Sequence, residues 1–257
     1  MIAMAIDTRP QGLSRRRAAD VAAAELRAFG AALTALDDAD WVRATDCKGW
    51  TVKDVTAHVC GQYEEIAKPT VLLRRLRTAK KRYPEMIALD GHNQVQLDDL
   101  GRLSPQALFD HLAKHGPVAI RRIRLMPSIF RRISTDRFFP ESPLAEPNLG
   151  YLLDVIMARD TWMHRLELAR ATSRVFDVDE HDFEIVGQVV RDLDRGWRRP
   201  PLRLELTGPA GGVWEIGTGP PVESVTADTL GMMLHLSGRD GVDLPPDSPL
   251  DAARVVF

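Results

Sequence analysis

This sequence of 257 residues contains little cysteine, no long apolar run and no large excess of either charge. Two cysteines occur, Cys47 and Cys60, so a disulfide framework is not expected and a reducing compartment is natural. No apolar run approaches the roughly 18 residues of a membrane span. The N-terminal stretch places Asp7 where a signal peptide needs an apolar centre, so we expect a cytoplasmic protein.

Charge is nearly balanced, with a formal net charge of -2 at pH 7, which argues against general nucleic-acid binding. Two stretches are locally basic, RRLRTAKKR at 74–82 and RRIRLMPSIFRR at 121–132. They are typical either of a groove for an anionic ligand or of wet helix faces. We favour wet faces, with no nucleic-acid or membrane partner. The inward residues would then be Leu73, Leu76, Ile120 and Ile123.

Helical patterns occupy the first two-thirds of the chain, where a hydrophobic content of 44% overall can supply a core. Residues 15–36 are rich in Ala and Leu. A second helix should begin at Thr51, a plausible N-cap with Asp54 as the acid of a capping box. Ser104 followed by proline starts another, and 148–172 is the most strongly patterned. Four principal helices predict a four-helix bundle.

The pattern changes after about residue 175. One more amphipathic helix is followed by PLRLELTG, in which Leu202, Leu204 and Leu206 alternate with polar neighbours as in a half-buried strand. Two further short strands, VWEIG and PVESVTAD, precede a helix that ends at Gly238. The predicted fold is therefore mainly α with a small α+β domain. The bundle covers 1–175 and the α+β domain covers 176–257.

The common catalytic signatures are missing. The sequence contains no GxSxG, no phosphate-binding GxxxxGK[ST] and no HExxH, and GTGPPV has prolines where a dinucleotide loop opens a helix. Imidazole and carboxylate groups remain as the candidates for chemistry.

One constellation combines Asp160 and His164 with His58. Asp160 and His164 are four residues apart, so on a helix they share a face that should be buried. That face also carries Leu153, Met157 and Leu168. A buried carboxylate needs a partner, which is either a metal ion or an arginine such as Arg159 or Arg165. His58 lies on the inner side of the second helix and, taken by itself, is more typical of a core histidine than of a metal ligand.

A second constellation is His111 and His115, which also have metal-ligand spacing. We expect a structural role for this pair. The helix should be interrupted near Gly116 and Pro117, so His115 would sit at a helix end and meet the helix dipole favourably. No third ligand is apparent near it in the sequence.

Two motifs in combination resemble a known family. CKGWTVKDVTAHVCG at 47–61, followed about 100 residues later by RDTWMHRLELARA, is similar to the DinB-like, mycothiol-dependent maleylpyruvate isomerase family of actinobacterial proteins. The tail, with LRLELTGPAGGVWEIG and ADTLGMMLHLSGRDG, resembles the sterol-carrier-like C-terminal domain of that family. The resemblance extends over nearly the whole chain.

The resemblance implies a divalent metal, usually taken as zinc, bound by His58, Asp160 and His164. Asp160 stands where the isomerases of the family often have Glu, so its carboxylate reaches less far. The resemblance also implies that Arg239, in SGRD, receives an acidic group of the substrate. The same arginine is equally typical of an exposed residue after a glycine helix stop.

Three protein ligands on a tetrahedral ion leave one position open, as in catalytic zinc sites. Water there would give a hydrolase, whereas a thiol there loses its proton and becomes a nucleophile. The resemblance selects mycothiol as that thiol, so neither cysteine of the chain is needed as the nucleophile. We expect a thiol-dependent isomerase or S-transferase that acts on a small electrophile, with a carboxylate-bearing substrate as one option. The alternative is a non-catalytic small-molecule or lipid binding protein; the sequence does not indicate an oligomeric state.

Overall fold

The computed structural model describes residues 11–140 and 144–257, so the expectation about Asp7 lies outside the described residues. The chain divides into two compact units. One is Arg15–Phe176, and the other contains Asp177–Phe257 together with residues 11–14. Within the described ranges, no helix combines the length and the apolar character that crossing a bilayer requires.

The first unit is helical. Its helices are α1 (Arg15–Thr34), α2 (Val52–Ala67), α3 (Pro69–Arg82), α4 (Ala88–Leu100), α5 (Pro105–Leu125), α6 (Ser128–Arg131), α7 (Leu149–Tyr151) and α8 (Met157–Thr172). A π-helical stretch, Leu152–Ile156, joins α7 to α8, and short 3-10 turns lie at Asp40–Val42 and Thr135–Arg137. Helices α1, α2, α5 and α8 pack together as the predicted four-helix bundle, while α3 and α4 pack on each other and on α2.

The start of α2 follows the pattern of its sequence. Thr51 accepts a hydrogen bond from the backbone N–H of Asp54, and the Asp54 carboxylate accepts one from the backbone N–H of Thr51. This reciprocal pair satisfies donors that the first turn of a helix leaves open. The inner stripe of α2 is fully buried and comprises Val52, Val55, Val59 and Tyr63. The cap and the stripe together set which way His58 faces.

Helix α5 begins as predicted, with Ser104 as N-cap and proline in its first turn, but the predicted interruption near Gly116 is wrong. The helix continues through Pro117 to Leu125. Proline removes one backbone hydrogen bond, yet the flanking turns are held by packing. A methyl group at Gly116 would come within 2.6 Å of Leu26 on α1, so the glycine permits close approach of the two helices.

The expected inward position of Leu73, next to the first basic stretch, is also wrong, whereas Leu76 is half-buried and lines an interior cavity. Leu73 is 44% exposed, whereas Arg75 is 1% exposed. The register of α3 is set by the arginine, which reaches three carboxylates, and that pairing turns Leu73 outward. In the second basic stretch Ile120 and Ile123 are buried as expected.

The second unit contains α9 (Glu180–Gly196), β1 (Leu202–Thr207), β2 (Gly212–Ile216), β3 (Glu223–Asp228) and α10 (Thr229–Leu236). The strand order is β2-β1-β3, with β1 antiparallel to β2 and parallel to β3. The alternating leucines of β1 are buried on one face, as the pattern predicts. Gly238 has φ +82°, a left-handed conformation that favours glycine after α10. The predicted fold class, mainly α with a small α+β part, is confirmed.

Candidate functional site

The structure brings His58, Asp160 and His164 together between α2 and α8. Asp160 Oδ2 lies 3.7 Å from His58 Nε2 and 3.5 Å from His164 Nε2. The two imidazole rings are 5.2 Å apart and nearly perpendicular, and the ligand atoms of the three residues all lie within 4.8 Å of one another. Both histidines are 4% exposed. Three side chains from two helices therefore converge on one point inside the bundle.

The outer nitrogen of His58 is held by α4. Gln96 Oε1 lies 2.7 Å from His58 Nδ1, and because a carbonyl oxygen only accepts, Nδ1 carries the proton. The other nitrogen, Nε2, consequently has the lone pair. Gln62, one turn further along α2, donates its amide to Nε2 at 2.9 Å. The tautomer of His58 is thus the one that leaves Nε2 available toward Asp160.

The outer nitrogen of His164 is held by a carboxylate. His164 Nδ1 donates to Glu167 Oε2 at 2.6 Å, and Glu167 is fully buried. The same carboxylate accepts from Cys47 Sγ at 3.3 Å. Cys47, which is not needed as the nucleophile, therefore lies beside the site, and Cys47, His164 and Glu167 form a second group with metal-binding spacing.

Asp160 faces the imidazoles, and Arg165, one of the two arginines considered as its ion-pair partner, is engaged elsewhere. Arg165 instead pairs with Glu25 of α1 through two contacts of 2.9 and 3.0 Å. Burial favours a higher pKa for Asp160, but His164 and His58 outweigh it and hold that pKa well below its ordinary value. Burial lowers the pKa of His164, but Asp160 and Glu167 raise it well above its usual range. Asp160 Oδ2 is nevertheless buried without a hydrogen bond.

Trp50 forms one wall of the site. It lies immediately before the N-cap of α2, and its ring is 5.2 Å from that of His58 and 6.5 Å from that of His164, stacked on the latter. An aromatic wall lowers the local polarity, which strengthens electrostatic interactions among the charged groups.

A buried network supports His58 from behind. Gln96, which fixes the imidazole, donates its own amide to Glu65 Oε1 at 2.9 Å. Glu65 also contacts Arg75 at 3.0 Å and His92 at 2.9 Å. The position of His58 therefore depends on the ion pair between Glu65 and Arg75, to which it is connected through Gln96.

The second constellation has a third partner that the sequence did not indicate. Glu64 of α2 lies 3.5 Å from His111 Nε2 and 3.9 Å from His115 Nε2, and the three residues have metal-binding spacing. His115 lies in the middle of the continuous α5, so its expected place at a helix end is wrong. Lys68 Nζ, 3.5 Å from His115 Nε2, and Arg75, 2.8 Å from Glu64, place positive charge where a cation would bind. We retain a structural role for this cluster.

Two further candidates remain, Cys60 and Arg239. Cys60 is fully buried and donates to the carbonyl of Leu108, and burial raises the pKa of its thiol to about 12, so it is a poor nucleophile. Arg239 follows Gly238 in the second unit and its backbone N–H donates to Leu234. The role that the resemblance implies for Arg239 stays a prediction.

Sequence reasoning missed Trp50, Gln62, Gln96 and Glu167. Two of them carried a usable signal, since Gln62 is four residues after His58 and Glu167 three after His164, which places each on the same helix face as its histidine. Gln96 had none, because it lies on α4, which was not recognised, and is 38 residues from His58.

Fold and site together define a helical-bundle protein with a buried imidazole–carboxylate cluster joined to a small α+β unit. The family model of the mycothiol maleylpyruvate isomerase N-terminal domain matches residues 22–169, more than half of the chain. The chain belongs to this family.

Two solved structures are similar to the chain. A crystal structure of the mycothiol-dependent maleylpyruvate isomerase aligns with a TM-score of 0.59 at 17% identity, over 91% of this chain and 95% of that one. A histidine-to-alanine variant of that isomerase aligns with a TM-score of 0.58 at 18% identity and the same coverage. At these identities the likeness establishes the fold. Comparison with curated proteins finds no match.

Proposed function

We propose that this protein is a metal-dependent enzyme that uses mycothiol as its thiol, either as an isomerase or as an S-transferase, on a small electrophilic substrate. The observation that carries the proposal is the geometry of His58, Asp160 and His164, whose available nitrogens both face one carboxylate oxygen. Family membership supplies the thiol, because the matched domain is named for mycothiol and maleylpyruvate isomerisation.

The donor set suits a divalent ion such as zinc. Two ligands bonded at about 2.0 to 2.1 Å to a tetrahedral ion lie roughly 3.3 to 3.4 Å apart, close to the 3.5 and 3.7 Å between Asp160 Oδ2 and the two imidazoles. The unsatisfied Asp160 Oδ2 is the atom that such an ion would compensate. Ion binding at His58 Nε2 requires the Gln62 amide to turn away from that nitrogen.

When bound, the ion supplies a Lewis acid that keeps a coordinated thiol deprotonated at neutral pH. The residues of the chain supply orientation. Gln96 and Glu167 fix the tautomers of the two histidines through their outer nitrogens, as carboxylates and carbonyls do behind metal-bound imidazoles. Because the pKa of His164 is raised, the imidazole must lose its Nε2 proton before Nε2 can bind an ion. Ion affinity should therefore increase with pH.

The proposal is tested by metal analysis of the purified protein joined to a thiol-transfer and isomerisation assay with mycothiol and a panel of electrophiles. About one tightly held divalent ion per chain, with turnover that depends on both the ion and mycothiol, is expected. A metal-free preparation that binds a lipid and turns nothing over would favour the alternative of a non-catalytic binding protein, for which the bundle carries a large apolar cavity.

Replacing Glu167 by glutamine should weaken ion affinity about 10- to 100-fold, because a neutral amide no longer holds His164 Nδ1–H by a charge-assisted hydrogen bond. Competition with a chromogenic chelator measures the effect. The exposed Glu85 provides the matched control, and Glu85→Gln should leave affinity unchanged. Equal affinity in both variants would place the ion elsewhere.

We also propose that Arg239 receives an acidic group of carboxylate-bearing substrates. Arg239→Ala should retain the ion and reduce kcat/KM for carboxylate substrates by roughly one to two decades, since a charge-assisted contact contributes about 1.5 to 3 kcal/mol. The kcat/KM for neutral electrophiles should be unchanged in this variant. Kinetics measured in parallel with a carboxylate substrate and its neutral amide analogue distinguish a carboxylate-binding role from a general effect on activity. An equal loss for both substrates would refute the carboxylate-binding role.

A further inference from the structure

A large apolar cavity lies within the helical unit, next to the imidazole–carboxylate cluster. Its volume is about 660 Å³, inside the range of roughly 300 to 1,000 Å³ that accommodates drug-sized ligands. Side chains of α2, α3, α4, α5, α7, α8, the segment 125–139 and the π-helical stretch line it. Its apolar lining includes Ile66, Leu72, Leu76, Phe139, Leu153 and Met157.

The cavity reaches the proposed metal centre at its polar end. Gln62 and Gln96 are part of its lining, and both contact the imidazole of His58, at 2.9 and 2.7 Å. Met157, also in the lining, is three residues before Asp160 on the same face of α8. A ligand in the cavity therefore lies within one side chain of the site where the thiol would be activated.

Large apolar side chains at the cavity also remain in contact with solvent. Phe130, Ile133 and Phe138 are 52%, 39% and 37% exposed, and all three belong to the lining. Clustered apolar side chains that remain exposed to solvent are typical of a binding site. Apolar residues outnumber polar ones two to one in the lining, so the cavity suits an apolar group better than a polyhydroxylated one.

We infer that the cavity binds the electrophile, and that the substrate is an α,β-unsaturated carbonyl compound with a bulky alkyl or aryl tail rather than a small, polar di-acid. The inference rests on the proposed function. In the S-transfer case the thiol sulfur bonds to the β-carbon, the π electrons of the double bond move toward the carbonyl, and the thiol proton ends on the α-carbon. No oxidant or reductant is needed.

Chain-length dependence follows from the apolar lining. Each methylene that enters the cavity should raise affinity by about fourfold until the cavity is filled. With mycothiol and a series of trans-2-alkenals from four to twelve carbons, KM should fall with each added carbon while kcat changes little. A flat series would overturn the inference.

Binding is measured independently of turnover with the fluorescent apolar amine N-phenyl-1-naphthylamine, on full-length protein with and without its metal. We expect one saturable site that long alkenals displace. Leu76→Trp, in the lining on α3, should weaken probe binding at least about tenfold, equivalent to losing two methylenes, and shift the preferred alkenal to shorter chains. Leu73→Trp, on the exposed side of the same helix, is the matched control and should bind normally.

Failure of the substrate-class inference and failure of the proposed function give different experimental results. If short polar electrophiles are turned over with mycothiol but the probe does not bind, or if both tryptophan variants behave alike, the substrate class is wrong and the proposed function stands. If the probe binds and Leu76→Trp blocks it, but no electrophile reacts in any metal state, the proposed function fails. The inference depends on the proposed function and fails with it. The cavity would then be the ligand site of a non-catalytic binding protein.

Discussion

Replacing His164 by alanine should weaken ion binding by about two to three decades and abolish mycothiol-dependent turnover. A four-ligand structural zinc site is worth about 10 to 16 kcal/mol, so one ligand contributes of order 2.5 to 4 kcal/mol. His164 also positions Asp160, whose Oδ2 is 3.5 Å from its Nε2, so the loss affects two of the three groups. Metal content by elemental analysis and single-turnover thiol transfer measure the two consequences.

His111→Ala provides the matched control for that variant. His111 is a half-buried imidazole of the same bundle, but it contacts Glu64 and not the proposed centre. It should keep both the ion and the activity. Loss of the ion from His111→Ala, with retention in His164→Ala, would move the metal site to the Glu64 cluster.

Cys60→Ser tests the source of the nucleophile in the same assays. The thiol is buried, its pKa is raised to about 12, and its contact is a backbone carbonyl, so the variant should retain turnover. Loss of turnover with full metal content would assign the nucleophile to the protein and contradict the use of an exogenous thiol.

Replacing Arg75 by methionine should destabilise the helical unit by about 3 to 5 kcal/mol. The guanidinium is 1% exposed and contacts Glu64, Glu65 and Asp99 at 2.8 to 3.0 Å. Removing one partner of a buried ion pair leaves uncompensated charge, which costs far more than the pair itself contributes. Urea unfolding followed by circular dichroism measures the change, and Arg77→Met, at an exposed position on α3, should shift stability by less than about 0.5 kcal/mol.

The same variant should change the acid sensitivity of the fold. Burial raises the pKa of Glu64 and of Glu65, but Arg75 helps to lower both below the ordinary value, with His92 contributing at Glu65. A lowered pKa stabilises the fold above about pH 4.3, the unfolded value, and this contribution is lost as pH falls through the folded value. The stability difference between wild type and Arg75→Met should therefore be largest near pH 7 and shrink toward pH 3. A constant difference would mean that charge is not its origin.

Arg75 also connects stability to the site, because Glu65 holds Gln96 and Gln96 holds His58. Arg75→Met should for this reason lower ion affinity at a temperature where the variant is still folded. Unchanged affinity in the folded variant would show that His58 is positioned by the backbone of α2 alone.

Local sequence determined much of this protein. The reciprocal cap at Thr51, the buried stripe of α2 and the spacing of Asp160 and His164 all follow from rules that act within one or two turns of a helix. Alternating leucines likewise determined β1 and its buried face. The pairing of His58 with residues about 100 positions away came from family resemblance, because spacing rules do not reach that far.

Tertiary packing decided the rest. Helix α5 continues through Pro117 because neighbouring helices hold the turns on both sides, and α3 turns Leu73 outward because Arg75 finds three carboxylates within the fold. The groups that fix the imidazoles and the apolar cavity beside them likewise exist only once α4 and the segment before α8 pack on α2. Local periodicity sets which side of a helix is apolar, but which polar groups meet inside depends on the free energy of the assembled bundle.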